Sequence, residues 1–193
     1  MAKGKSYTVK FRRKREKLTD YRKRMKLISS GSLRLVIRRS LNNMDVRIVD
    51  FKSEGDRSLT STNSFELSKK FGWLASRGNT PTAYLTGFLA GLKAKEKGIK
   101  SAILDIGLQN RGEKIYAALA GVLDAGIKIP HSKEILPKSE RIKGGHIENY
   151  AKSLDTQSYN KLFSNLIKNG IKPENISKHF EDVKKKIAEK YHG

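Results

Sequence analysis

The chain has 193 residues, 37% of them apolar and 31% charged, enough to bury a core in one domain with a smaller extension. It contains no cysteine, which excludes disulfides, thiolate zinc sites and cysteine nucleophiles. Its 41 Lys and Arg against 19 Asp and Glu give a net charge of +22, a self-repulsion that works against compaction until a polyanion cancels it. No apolar run reaches the roughly 20 residues of a membrane span, and no apolar stretch follows the charged start as a secretory signal requires. The expectation is a cytoplasmic protein with no membrane contact.

The charge is densest at the start. Residues 1–26 hold 12 basic and 2 acidic residues, whereas 27–150 hold 20 and 12, and 151–193 hold 9 and 5. Residues 1–17 have no periodic apolar pattern and are expected as an extended arm, disordered until bound. From Leu18 a helical stripe begins, with Leu18, Tyr21, Met25 and Ile28 on one face, Thr19 or Asp20 as cap and Ser29-Ser30-Gly31 as the stop. Its stripe is expected to pack on the domain, leaving Arg22, Lys23, Arg24 and Lys26 to face elsewhere.

Three strands joined by tight turns follow. LRLVIRRS (33–40) and DVRIVDF (45–51) alternate apolar with polar residues, and RSLTSTN (57–63) does so more weakly. Asn42-Asn43 and Ser53-Glu54-Gly55-Asp56 mark the turns. The period then changes. SFELSKKFGW (64–73) is helical with Asn63 or Ser64 as cap, and 80–98 is a clearer helix with Thr80 as N-cap, Pro81 at N1 and Leu85, Phe88, Leu89 and Leu92 on one face. SAILDIGL (101–108) has the composition of a buried strand, and 113–126 is a helix ended by Gly126. An antiparallel meander followed by α-β-α is an α/β sandwich with a mixed sheet. The chain is irregular from Pro130 to Gly145, and two further helices at 158–170 and 173–191 are expected as an appended hairpin. The division is therefore 1–28, basic arm and helix; 29–130, α/β core; 131–193, irregular segment and helical extension.

Catalytic patterns are sparse. No two of His131, His146, His179 and His192 have metal-ligand spacing or stand beside a nucleophile, and no phosphate-binding glycine loop follows a strand. The meander-then-α-β-α layout is the one two-metal nucleases use, with Asp45, Asp50 and Asp105 as candidate acids. For Asp105 the favoured reading is that it ties a loop. No metal, cofactor or small-molecule substrate is expected. By contrast KFRRKREKLTDYRKRM (10–25) carries nine Lys or Arg among its sixteen residues, with Phe11 and Tyr21 interleaved. Cations neutralise phosphates and release counterions, arginine forks onto phosphate, and aromatic rings stack on unpaired bases. A nucleic-acid partner follows; composition does not choose between RNA and DNA. The strand residues Arg34, Arg38, Arg39 and Arg47 extend the candidate surface.

The order of motifs resembles the archaeal and eukaryotic branch of the large-subunit ribosomal protein family L-eighteen. Eight segments carry the likeness: YTVKFRRKRE, TDYRKRMKLI, LRLVIRRS, ELSKKFGW, NTPTAYLTGFLAG, AILDIGL, YAALAGVLDAGIKIPHS and RIKGGHI. The resemblance implies a non-enzymatic protein that binds 5S rRNA and attaches it to the large-subunit rRNA in the central protuberance, beside neighbouring large-subunit proteins. It implies a ribonuclease-H-like topology for the α/β fold. It also assigns Lys10, Arg12, Arg13, Lys14, Arg15, Lys17, Arg22, Lys23 and Arg24 to RNA contact, Phe11 and Tyr21 to stacking, and Arg34 and Arg38 to a wider surface. Asn79 and Thr80 open a helix whose N-terminus is either a phosphate seat or plainly capped. Three places depart from the pattern: Lys17-Leu18 stands where a Gly-containing link is expected, Ser32-Leu33 lacks a Pro-Arg, and Ala120 replaces a Lys. None touches the basic cluster.

Overall fold

The computed structural model describes Gly4 and residues 8–192. Three strands, β1 (Arg34–Arg39), β2 (Met44–Lys52) and β3 (Gly55–Asn63), form the expected meander, and β4 (Ile103–Asp105) joins β1 in parallel. The order across this mixed sheet is β3-β2-β1-β4. Alternation sorts the two faces. Leu35 and Ile37 of β1 and Met44, Val46 and Ile48 of β2 are buried in the core, while Arg34, Val36 and Arg38 lie on the opposite face. A register shift between Ile48 and Val49 breaks the β2–β3 ladder.

Against the core face lie α4 (Thr80–Glu96) and α5 (Glu113–Asp124), preceded by α3 (Ser64–Phe71), which Asn63 caps and Gly72 ends in the left-handed region. The N-cap of α4 is Asn79, one residue earlier than expected; its Oδ1 accepts from Thr82 N at 2.9 Å, and Thr80 is the first helical residue. The helices α4 and α5 touch backbone to backbone. A Cβ on Gly87 would lie 1.9 Å from Ala118 O, and one on Gly121 would lie 2.2 Å from Tyr84 O. Only hydrogen fits at either place.

The C-terminal third differs most from expectation. Past a 3-10 turn come α6 (Ser139–Lys143), α7 (Gly145–Lys152), α8 (Thr156–Leu162) and α9 (Ser164–Lys168), and past a second one α10 (Ile176–His192). The helix expected at 158–170 is broken at Phe163, whose ψ of 15° leaves helical geometry and whose ring meets Tyr150 and Tyr159 edge-on. Nor does α10 stand apart as one arm of a hairpin. Ile176, Phe180, Val183 and Ile187, one stripe at helical spacing, are fully buried in the same cluster as the sheet and α4. Each such burial contributes about 1.5–3 kcal/mol. With the sheet on one side and α10 on the other, α4 is buried nearly all round, so its apolar face is broader than the stripe read from spacing. Polar contacts fasten the join: Lys184 Nζ donates to Tyr84 Oη at 2.6 Å, and Tyr84 donates to Asp124 Oδ2 at 2.5 Å. Burial, aided by Asp124, pushes the Tyr84 hydroxyl far above the usual tyrosine range.

The strand expected over 101–108 is shorter than its apolar run. Gly107 at φ +62° turns the chain just after β4, and Ser101 bridges in parallel to Lys128. His179 is part of the packing, stacked on Trp73 with ring centroids 5.0 Å apart and accepting from Leu74 N at 3.2 Å. The α4–α5 contact yields a direct test. Gly87→Ala is expected to destabilise the protein by about 1–3 kcal/mol or more through overpacking, read as a lower urea midpoint with an unchanged slope.

Candidate nucleic-acid interface

The arm expected to be extended is not extended throughout. Its stretch before Thr8, Tyr7 included, lies outside the described residues except for Gly4; beyond that, α1 (Arg12–Arg15) forms one helical turn. Lys14 N and Arg15 N donate to Phe11 O at 2.9 and 3.0 Å, and Leu18 N donates to Arg13 O at 2.8 Å. Lys17 then reverses the chain at φ +53°, a left-handed conformation that costs a non-glycine residue about 1–2 kcal/mol. This is where the family pattern expects glycine, and the backbone takes the glycine-like shape regardless. Two contacts close the reversal. The Phe11 and Tyr21 rings meet with centroids 5.3 Å apart, and Arg13 Nε donates to Thr19 Oγ1 at 2.9 Å. Phe11 is still 71% exposed.

Asp20 caps α2 (Tyr21–Ser29), accepting from Arg22 N and Lys23 N, so the helix begins three residues after Leu18. The inward side of α2 carries Tyr21, Arg24, Leu27 and Ile28, all half-buried, whereas Leu18 and Met25 are exposed. The stripe expected from spacing is thus rotated, and Arg24 turns inward. Its guanidinium forks onto Asp56, with Nη1–Oδ2 at 2.9 Å and Nη2–Oδ1 at 2.8 Å.

From Asp56 the charges run on across the outer sheet face. Arg34 Nη2 lies 2.6 Å from Asp56 Oδ1, and Nη1 donates to Asp105 Oδ2 at 3.2 Å. Asp105 Oδ1 also accepts from Gly107 N at 2.8 Å and Arg38 Nη2 at 3.3 Å, while Arg38 Nη1 donates to the Asp105 carbonyl at 2.7 Å. With only 2% of its surface exposed, Arg34 is a structural cation and not a phosphate contact, which corrects the sequence expectation. Asp105 indeed ties a loop, its oxygens occupied by guanidinium and amide donors. Asp45 pairs with Arg47 at 2.6 Å and Asp50 with Lys52 at 3.3 Å, so each candidate acid of the nuclease layout is matched to a base. Burial works to raise the Asp56 carboxyl, but hydrogen bonds and charge from Arg24 and Arg34 outweigh it and hold the group below its ordinary 3.8.

What remains outward is a set of cations close in sequence. Lys10, Arg12, Arg13, Lys14, Arg15, Lys17, Arg22 and Lys23 are all exposed, joined by Lys26, one turn beyond Arg22. Arg38 is partly exposed but held in its pairing. Asn79 and Thr80 belong elsewhere, in a cleft with Arg39, Lys114 and Arg141, and Asn79 is occupied in capping. Lys114 and Arg141 escaped the sequence reading because neither lies in a cationic run.

A family model described as "Ribosomal large subunit proteins 60S L5, and 50S L18" matches residues 5–101. The chain is also 45% identical to "Large ribosomal subunit protein uL18" of Caldivirga maquilingensis, over 99% of this chain and 95% of that one. The chain belongs to this family of large-subunit ribosomal proteins. It is of the archaeal and eukaryotic type, a structural component of the large ribosomal subunit that works in translation beside ribosomal RNA and proteins. Members of this ribosomal family are structural proteins, and the chain is not an enzyme. Among the described residues no helix is long and apolar enough to cross a membrane.

The charge network sets a pH dependence. Asp56 has a lowered folded-state pKa, so its contribution is present above 3.8 and lost as pH falls through the lower folded value. Asp56→Asn is expected to destabilise by about 1–3 kcal/mol at neutral pH, through the donors it leaves unmet. The gap between variant and parent should close in acid, as measured by urea unfolding across pH.

Proposed function

We propose that the chain binds 5S rRNA and fastens it to the large-subunit rRNA in the central protuberance, beside neighbouring large-subunit proteins. One observation carries this reading: of the cations from Lys10 to Lys26 all are exposed except Arg24, whose inward pair with Asp56 holds α2 on the sheet. In this reading Lys10, Arg12, Arg13, Lys14, Arg15, Lys17, Arg22 and Lys23 lie on phosphates. Phe11, exposed and already beside Tyr21, offers a stacking surface for an unpaired base. Residues 1–28 act as the grip, 29–130 as the platform and 131–193 as the part that braces α4. The strand order β3-β2-β1-β4, with β4 parallel to β1 and a further parallel bridge from Ser101 to Lys128, supports a ribonuclease-H-like topology for the platform.

Ionic strength tests the reading. With six to eight phosphates met, log K for 5S rRNA should fall against log salt with a slope of roughly −5 to −7. Deleting residues 1–17 should flatten that slope, and DNA of equal length should compete poorly. An unchanged slope after deletion, or equal competition by DNA, defeats the proposal. Stacking is separable from charge. Phe11→Ala should lose about 1–3 kcal/mol of binding with the salt slope unaltered.

A further inference from the structure

The outer face of the sheet is only partly covered by α2, and between them lies a cleft of about 390 Å³. That volume falls in the roughly 300–1,000 Å³ range of sites that enclose a small molecule. Its deep parts are Val36 and Val49 from the sheet and Leu27 from α2, together with the Asp105 carboxylate and its partner Arg34. Its outer parts are exposed, with Arg13, Lys23 and Arg47 set against Asp20 and Asp56, beside Leu18 and Leu108.

Arg38 has an unusual standing in this cleft. Its guanidinium is fixed by donation to Ile37 O at 2.9 Å, Asp105 O at 2.7 Å and Asp105 Oδ1 at 3.3 Å, yet 37% of the side chain is exposed. A flat cation held still, with one surface open, is a stacking platform for a nucleobase. In the cleft wall, Arg34 Nε is buried and has no hydrogen-bond acceptor among the described residues.

We propose that this cleft receives one unpaired base of the bound RNA, stacked on Arg38, with its flanking phosphates on Arg13, Lys23 and Arg47. The inference rests on the RNA-binding reading above and goes further by naming a second, enclosed contact. The apolar lining sets the direction of entry. Val36, Val49 and Leu27 suit a base and would leave a phosphate unsolvated, so the base goes inward and the backbone stays at the rim.

The test uses the full chain and 5S rRNA. Ser58, an exposed cleft residue on β3, is changed to Trp to fill the space without altering charge. In parallel, Arg38→Lys keeps the charge and removes the plane. Each variant is expected to bind about 5- to 100-fold more weakly with an unchanged salt slope. In the parent complex, ultraviolet crosslinking should attach a nucleotide to a peptide containing Leu18, Leu27 or Leu108, and Ser58→Trp should abolish that attachment. If Ser58→Trp melts like the parent and binds within about twofold of it, or if the crosslink survives, the cleft takes no base. If the parent itself fails to bind 5S rRNA, it is the proposed function that falls.

Discussion

A buried guanidinium governs how this protein presents its surface. Arg34 sits between Asp56 and Asp105 and draws together β1, β3 and β4, and Asp56 in turn takes the fork of Arg24 from α2. A charge removed from water this completely is tolerable only beside opposite charge, which Asp56 and Asp105 supply. The network therefore fixes the rotation of α2 on the sheet. Once Arg24 faces inward, Arg22, Lys23 and Lys26 have no direction left but outward. The outward cations are thus set by a cation that is itself buried.

On the other side of the sheet the constraint is one of volume. Gly87 and Gly121 let two helix backbones meet, and the resulting pair is then covered by α10 through Phe180, Val183 and Ile187. Lys184, lying over the Tyr84 and Phe88 rings at 4.8 and 5.3 Å, adds a cation–π contact where α10 crosses α4. The protein is hence tightly packed behind the sheet and electrostatically assembled in front of it.

Much of the frame is legible in the residues. Alternation in 33–40 and 45–51 gives β1 and β2 within a residue or two, and Asn63, Gly72 and Gly126 punctuate as their chemistry dictates. What the residues conceal has a common cause, long-range pairing. Arg24 and Arg34 look like their exposed neighbours in a cationic run, since only the fold brings Asp56 and Asp105 to them. The stripe of α10 is visible at its own spacing, but the face of α4 that receives it is not, because α4 is apolar nearly all round and no moment marks a second side. Lys17 shows the opposite limit: its left-handed backbone is set by the contacts on either side, Phe11 with Tyr21 and Arg13 with Thr19. As for the candidate site, its cations were identifiable one by one, whereas the distinction between those left exposed and those that brace the fold was not.

The placement of α10 has a consequence for how the protein is made. Its 17 residues complete the core, yet they leave the ribosome after the sheet and the helices they cover. Until then a nascent chain holds Tyr84, Phe88 and their neighbours open to water, while the cations of α1 and α2 have long since emerged. Translation thus delivers the cationic segment well before the helix that seals the interior, so a chain cut short ahead of α10 would carry its charge intact but have no closed body to mount it on.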